Sequence, residues 1–142
     1  AVRASGSKRW ARYQTERVKM TAIPVHHGDI PALAWRIEIA GQSIVITGSF
    51  NNSKNLVATF AKDADALVVS HAIPENSRGV LRDLYARPSQ LGRVADQADA
   101  RMMILGHRSV RTRGRESLSR NAIEENYNGT ILFANDGECW GL

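Results

Sequence analysis

Residues 33–47, LAWRIEIAGQSIVIT, indicate the fold class more clearly than any other part of the chain. In residues 33–39 apolar and polar side chains alternate, which is the period of a strand with one buried face. Residues 43–47 are rich in β-branched side chains, which favour strands. Gly41 and Gln42 lie between the two runs and provide a tight turn. The stretch therefore predicts a β-hairpin.

The segments on either side of this hairpin predict a layered α/β arrangement. Residues 19–25 predict a strand that ends in the polar loop 26–29, and residues 66–69 and 102–105 have the continuous apolar character of buried parallel strands. Helices are predicted at residues 55–62, at 78–85, from Ser89 as N-cap through residue 98, and at 116–127, with a last strand at 130–134.

Composition indicates one globular domain. The chain has 142 residues, of which 43% are hydrophobic and 23% charged, values that exclude disordered and low-complexity classes. Residues 1–17 are polar and basic and predict an N-terminal arm, followed by a domain over residues 18–142. No apolar run approaches the roughly 20 residues of a membrane span, and no signal core is visible, which favours the cytoplasm.

Cysteine and charge content restrict the kinds of partner. Cys139 is the single cysteine, so neither an intramolecular disulfide nor a zinc-finger cysteine set can form. The net charge of +5 favours anionic ligands, and a basic nucleic-acid-binding module stays open as an alternative, although the aromatic content is only 6%. Arg108, Arg111 and Arg113 predict phosphate or carboxylate recognition, with a solvated basic loop as the alternative.

Three polar clusters follow predicted strands, at residues 26–29, 48–50 and 106–109. The carboxyl ends of strands in layered α/β folds are where loops converge on ligands. His27 and His107 are therefore candidate site residues, and the alternative is that each histidine simply caps a strand end.

Four segments of the chain resemble a known family. They are VHHGDIPALAWRIEIAGQSIVITGSF at 25–50, DALVVSHA at 65–72, ADQADARMMILGHRSVR at 95–111 and NAIEENYNGTILFANDG at 121–137. Their order and content resemble the C-terminal half of metallo-β-lactamase-fold hydrolases, in the ribonuclease Z and arylsulfatase-like branch. The resemblance extends over residues 18–136 and implies half of an αββα sandwich, a mixed sheet covered by helices on one face.

The resemblance also implies a set of site residues. His27 and His107 fall at zinc-ligand positions, and Ser49 falls where the family has an aspartate that bridges two metal ions. His71, in the segment Ser70-His71-Ala72, resembles a His-Glu-Ala motif and becomes a candidate proton donor. The family's His-x-His-x-Asp-His motif does not occur in the sequence. Because zinc sites use about three or four protein ligands, we expect no cofactor or only weakly bound zinc.

The incomplete ligand set leads to two functional hypotheses. The first is a degenerate half-domain without independent hydrolase activity that binds a partner or an anionic ligand. The alternative is the C-terminal portion of a zinc-dependent phosphodiesterase or esterase whose metal-binding half is supplied elsewhere. One sheet face, with Ile44, Ile46, Val68 and Ile104, has no cover in a half fold, so we expect a homodimer or a separate N-terminal half on it.

Overall fold

The predicted hairpin is present in the computed structural model, which describes residues 11–142. Strand β3 (Ala32–Ile39) pairs antiparallel with β4 (Gln42–Ile46), with Glu38 opposite Ser43. β1 (Ala11–Gln14) and β2 (Val18–Val25) extend this antiparallel part. On the other side of β4, parallel pairing adds β5 (Ala66–Ser70), β6 (Met102–Gly106) and β7 (Thr130–Phe133). The sheet is therefore mixed and has seven strands in sequence order.

The parallel strands are connected through helices, as parallel pairing requires. The helices are α1 (Leu56–Phe60), α2 (Val80–Leu84), α3 (Pro88–Gln97) and α4 (Glu116–Glu124). The predicted α/β class is therefore confirmed, with each predicted helix and strand in place. None of the helices within residues 11–142 has the length and apolarity that crossing a bilayer needs.

The segment for which the sequence predicts a basic arm is described only in part. Residues 1–10 lie outside the described residues. Residues 11–14 form β1, which pairs with β2 with Ala11 opposite Ala22 and Gln14 opposite Lys19. The described sheet therefore begins within the predicted arm.

The predicted N-cap of α3 is wrong. Pro88 occupies the first turn, where its fixed φ is favourable, and Arg87 is the N-cap residue. Ser89 lies inside the helix, and its Oγ and backbone N–H donate to the carboxylate of Glu75 at 2.7 and 2.8 Å. A glutamate from a distant loop thus satisfies the helix start, which a local capping rule does not anticipate.

The helices cover one face of the sheet. The buried residues on this side form one large cluster, which includes Val45, Leu67, Val69, Met103 and Leu105 from the strands and Val57, Leu91, Val94 and Ile123 from the helices. A Cβ at Gly92 in α3 would lie 2.5 Å from the carbonyl oxygen of Ile123 in α4. The absence of a side chain at Gly92 therefore permits the close approach of these two helices.

The opposite face carries a smaller apolar cluster, which we call the open face. Strand register places Ile46 beside Val68 and Val68 beside Ile104. The cluster consists of Ile44, Ala66, Val68, Met102, Ile104, Leu132 and Ala134, and includes no residue of the four described helices. Ile46 is 41% exposed, whereas Ile104 is 8% exposed.

Candidate functional site

A polar cluster lies at the edge of the sheet where β4, β5 and β6 end. The Oγ atoms of Ser49 and Ser70 are 3.5 Å apart, and the Ser70 hydroxyl donates to the carbonyl oxygen of Gly48 at 3.2 Å. The same Ser70 Oγ lies 3.5 Å from Nδ1 of His107. The structure thus brings Ser49 and His107 together, as the convergence of parallel strand ends predicts. Ser70 also lies in this cluster, although the sequence indicates it only within the motif Ser70-His71-Ala72.

Two backbone conformations shape this edge. Gly48 has a φ of 60°, and a Cβ there would lie 2.8 Å from the carbonyl oxygen of Leu33. His107 has a φ of 49°, a left-handed conformation that is uncommon for a residue with a side chain. Backbone conformations of this kind concentrate at functional sites, because the surrounding structure must maintain them.

His27 lies in the loop after β2 and is largely buried, with 8% of its surface exposed. Its Nδ1 lies 2.6 Å from the carbonyl oxygen of Leu84 at the end of α2. Because a carbonyl oxygen only accepts hydrogen bonds, Nδ1 carries a proton, and Nε2 is the acceptor nitrogen of the neutral ring. An imidazole held in this tautomer by a backbone carbonyl is also the arrangement of many metal-bound histidines.

Tyr85 joins His27 to His107. Its ring centroid lies 5.0 Å from that of His27 and 6.2 Å from that of His107, and both contacts are edge-on. No motif or spacing in the sequence indicates Tyr85 as a site residue. Its position follows from the packing of the segment after α2 against the strand ends, and no local spacing rule contains that information.

His71 lies in the core on the helix side of the sheet. Its side chain is buried, Nε2 is 2.8 Å from the Oγ of Ser119, and its ring contacts Phe133. Burial lowers the pKa of His71 to about 4, so the imidazole is neutral near pH 7. The hydrogen bonds and ring contacts of His71 within residues 11–142 include none of Ser49, Ser70 and His107. These surroundings are those of a structural histidine, and the role of His71 in proton transfer stays a prediction.

The three candidate arginines have different surroundings. Arg108 donates to Oε1 of Glu116 at 3.1 Å and to Oδ1 of Asn135 at 2.7 Å. Backbone N–H groups of Glu116 and Gly114 lower the pKa of the Glu116 carboxyl, which keeps it charged beside Arg108. Arg113 lines a cavity of about 570 Å3 whose wall also includes Gly106, His107, Arg108, Ala134, Asn135 and Asp136. Arg111 is exposed and does not line this cavity.

A second cavity connects the polar edge with the open face. It has a volume of about 230 Å3 and is lined by Ile46, Gly48, Ser49, Val68, Val69, Ser70, Gly106 and His107. The polar groups of this cavity are two hydroxyls and one imidazole, above an apolar floor of strand residues. A cavity of this composition suits hydrogen bonding together with apolar contact.

The described residues do not complete a zinc site. Within residues 11–142, no three histidine, cysteine, aspartate or glutamate side chains lie where they could hold one ion. Ser49 presents a neutral hydroxyl where a bridging metal site needs a carboxylate. His27 and His107 supply suitable nitrogen donors, but two imidazoles are fewer than the roughly three or four protein ligands of zinc sites.

No family model and no curated protein sequence matches this chain. Solved structures do match its fold. The metallo-β-lactamase fold protein YhfI from Bacillus subtilis has a TM-score of 0.78 and 19% identity, and the match covers 92% of this chain and 52% of that protein. Human tRNase Z, short form, has a TM-score of 0.66, 17% identity, and coverages of 87% and 42%. Zn(2+)-bound PqqB from Methylobacterium extorquens has a TM-score of 0.66, 12% identity, and coverages of 93% and 53%.

These matches confirm the resemblance at the level of the fold. The chain spans about half the length of the solved structures that it matches. In each of them almost the whole of this chain is aligned, so the sheet and helices described above correspond to one part of a larger architecture. The chain has the metallo-β-lactamase fold over that part.

Proposed function

We propose that this chain is a binding half-domain of the metallo-β-lactamase fold, without independent hydrolase activity. The observation that carries the proposal is the composition of the polar edge. The hydroxyls of Ser49 and Ser70 and the imidazole of His107 meet there, and Tyr85 lies between His107 and His27. Within the described residues, no three metal-binding side chains could hold one ion. A neutral hydroxyl at Ser49 cannot balance the charge of two cations as a carboxylate does.

The open face supports a role for a protein partner, and we propose a second copy of this chain. Its apolar side chains extend over four neighbouring strands, β4 to β7. Ala66, Met102 and Ile104 of this face are buried within the chain, whereas Ile46 is 41% exposed and Ile44, Val68 and Leu132 are half-buried. Exposed apolar surface of this kind marks interaction sites. A second copy offers the same apolar surface, and two-fold pairing of one face with itself is the commonest form of assembly.

Light scattering after size exclusion tests this pairing at micromolar concentration. We expect twice the chain mass for the unmodified protein and the chain mass for Ile46→Glu, which places a charge on the open face. Val110→Glu is the matched control, because Val110 is an 84% exposed apolar residue on the loop after β6. A monomeric unmodified chain contradicts the homodimer, as does a complex that forms only with a separately supplied N-terminal half.

The arginines support a role for an anionic ligand in the cavity lined by Arg113. Glu116 and Asn135 bind the guanidinium of Arg108 and fix its orientation in the cavity lining. The side chain of Arg113 has no hydrogen-bond or ion-pair partner within the described residues and can therefore meet a ligand. A guanidinium fork recognises phosphate and carboxylate oxygens.

Titration with inorganic phosphate and with phenyl phosphate, followed by calorimetry, tests the anion site. We expect Arg113→Gln to weaken binding by about 10- to 100-fold, since one charged hydrogen bond contributes roughly 1.5–3 kcal/mol. Arg111→Gln is the matched control and should change the affinity by less than about twofold, as solvent-exposed charges contribute little. Equal losses in both variants, with steep salt dependence toward single-stranded nucleic acid, support the basic nucleic-acid-binding module instead.

A second candidate function is the C-terminal portion of a zinc-dependent hydrolase. It is favoured by His27, whose Leu84 contact leaves Nε2 free, and by the zinc-bound state of the matched PqqB structure. Metal analysis of the purified chain distinguishes the two candidates. Stoichiometric zinc, with hydrolysis of a phosphodiester that is lost in His27→Ala and in His107→Ala, supports the hydrolase. A folded, metal-free and inactive chain supports the binding half-domain.

A further inference from the structure

The ring of Tyr85 contacts both imidazoles of the candidate site. The ring planes are inclined by 62° to His27 and by 81° to His107, so both contacts are edge-to-face. This geometry is favourable because the positive edge of one ring meets the negative face of the other. Within the described residues, neither imidazole has another aromatic partner. The two histidines therefore share one orienting ring.

The segment that carries Tyr85, residues 83–86, is bound to the strand ends through its backbone. The carbonyl oxygen of Asp83 accepts a hydrogen bond from the Asn51 amide, and that of Leu84 accepts one from His27. The backbone N–H of Ala86 donates to the carbonyl oxygen of Phe50 at 2.7 Å. Three backbone hydrogen bonds in four residues therefore place the Tyr85 ring.

The hydrogen bonds of the two imidazoles determine which nitrogen carries the proton. In His27 this is Nδ1, because its partner is a carbonyl oxygen. In His107 the partner is the Ser70 hydroxyl, whose own proton is donated to the carbonyl of Gly48, so Ser70 Oγ accepts from Nδ1. At 3.5 Å this contact is long for a hydrogen bond and does not hold an exposed ring by itself.

We propose that Tyr85 is the positioning residue of this edge. Together with the Leu84 carbonyl and the Ser70 hydroxyl, its ring holds both imidazoles with Nε2 as the free acceptor nitrogen. This inference is independent of the proposed function, because it concerns the orientation of the histidines for any ligand. In this tautomer Nε2 of His107 has no proton to donate to an anion, and Arg113 supplies the positive charge for such a ligand.

Long-range proton–nitrogen NMR of the histidine rings tests the proposal at about pH 8, where unperturbed imidazoles are neutral. In the unmodified chain and in Tyr85→Phe we expect both histidines to carry the proton on Nδ1. In Tyr85→Leu, His27 should keep this tautomer because of its 2.6 Å hydrogen bond. His107 should shift toward the Nε2-protonated form that free histidine favours in water. Tyr13→Ala replaces a 60% exposed tyrosine on β1 and is the matched control without effect on either ring.

The proposal is overturned if His107 carries its proton on Nε2 in the unmodified chain, or if Tyr85→Leu leaves its tautomer unchanged. A loss of the His107 tautomer in Tyr85→Phe also contradicts it, since the ring is retained. If Tyr85→Leu fails to fold, Tyr85→Met provides the ring deletion with a flexible side chain of similar size. Because the measurement uses neither metal nor substrate, its result is distinct from the outcome of the assembly and hydrolysis tests.

Discussion

The two faces of the sheet consist of the same strands and differ in what covers them. Leu67 and Val68 are neighbours in β5, and their side chains point to opposite sides. Leu67 belongs to the large cluster with the helices and is fully buried, whereas Val68 belongs to the open face and is partly exposed. Strand alternation therefore decides which side a residue faces, but the packing of other elements decides whether that side is buried.

Substitution of this pair is expected to show the largest difference. Leu67→Ala removes a fully buried side chain and should lower the free energy of unfolding by about 2–5 kcal/mol. Val68→Ala removes a partly exposed side chain and should cost less than about 1 kcal/mol in the monomeric chain. Urea unfolding at a concentration where the protein is monomeric measures both values.

The same pair also tests coverage of the open face. If a second copy covers this face, the cost of Val68→Ala should increase with protein concentration, because assembly then contributes to stability. The cost of Leu67→Ala should change little with concentration. A cost of Val68→Ala that equals that of Leu67→Ala in a monomer contradicts the difference between the faces.

The second largest effect is expected for the pH dependence of stability, which arises from His71 on the helix-covered face. Burial lowers the pKa of His71 from 6.5 to about 4, so at pH 5 the unfolded chain binds a proton that the folded chain does not. Stability conferred by the neutral imidazole is complete above about pH 6.5 and is lost as the pH falls toward 4. From pH 7 to pH 5 the loss should be about 2 kcal/mol.

Unfolding curves of the unmodified chain and of His71→Gln measure this contribution. The variant should be less stable at pH 7, because the ring contact with Phe133 is lost, and should show a smaller decrease between pH 7 and pH 5. Equal decreases in the two proteins indicate that His71 is not the group responsible.

The sequence predicts those parts of the fold that depend on local periodicity. The hairpin of β3 and β4 is correct because alternation along residues 33–39 is a property of one strand. Ser49 and His107 were expected near each other because parallel strands end at one edge. Alternation also separates Ser70 from His71, since the side chains of successive residues at the end of β5 point to opposite sides.

Contacts between distant segments cannot be predicted from local periodicity. In the first turn of α3, Ser89 donates hydrogen bonds to Glu75, which lies outside the helix and its neighbouring residues. Tyr85 reaches the candidate site only because residues 83–86 bind to loops that follow β2 and β4. Neither position carries a local signal, because each depends on a hydrogen bond or ring contact that forms only in the folded chain.

The smallest change in stability is expected at the corner formed by β2 and β3. Charged side chains, and not helices, lie over the sheet there. Lys19 Nζ is 2.6 Å from Glu38 Oε2, and Arg36, on the same side of β3 as Glu38, donates to the carbonyl of Lys62. The hydrogen bond from Lys19 lowers the pKa of Glu38, so the pair stabilises the fold above the ordinary carboxyl pKa and loses this contribution on acidification. Because Lys19 is half exposed, Lys19→Gln should lower the free energy of unfolding by less than about 1 kcal/mol at low salt.

At about 1 M salt, where exposed charges are screened, this cost of Lys19→Gln should vanish. A cost that persists at high salt indicates that the Lys19 stem packs on the sheet and that this corner is covered by apolar contact, as the rest of the helix-side face is.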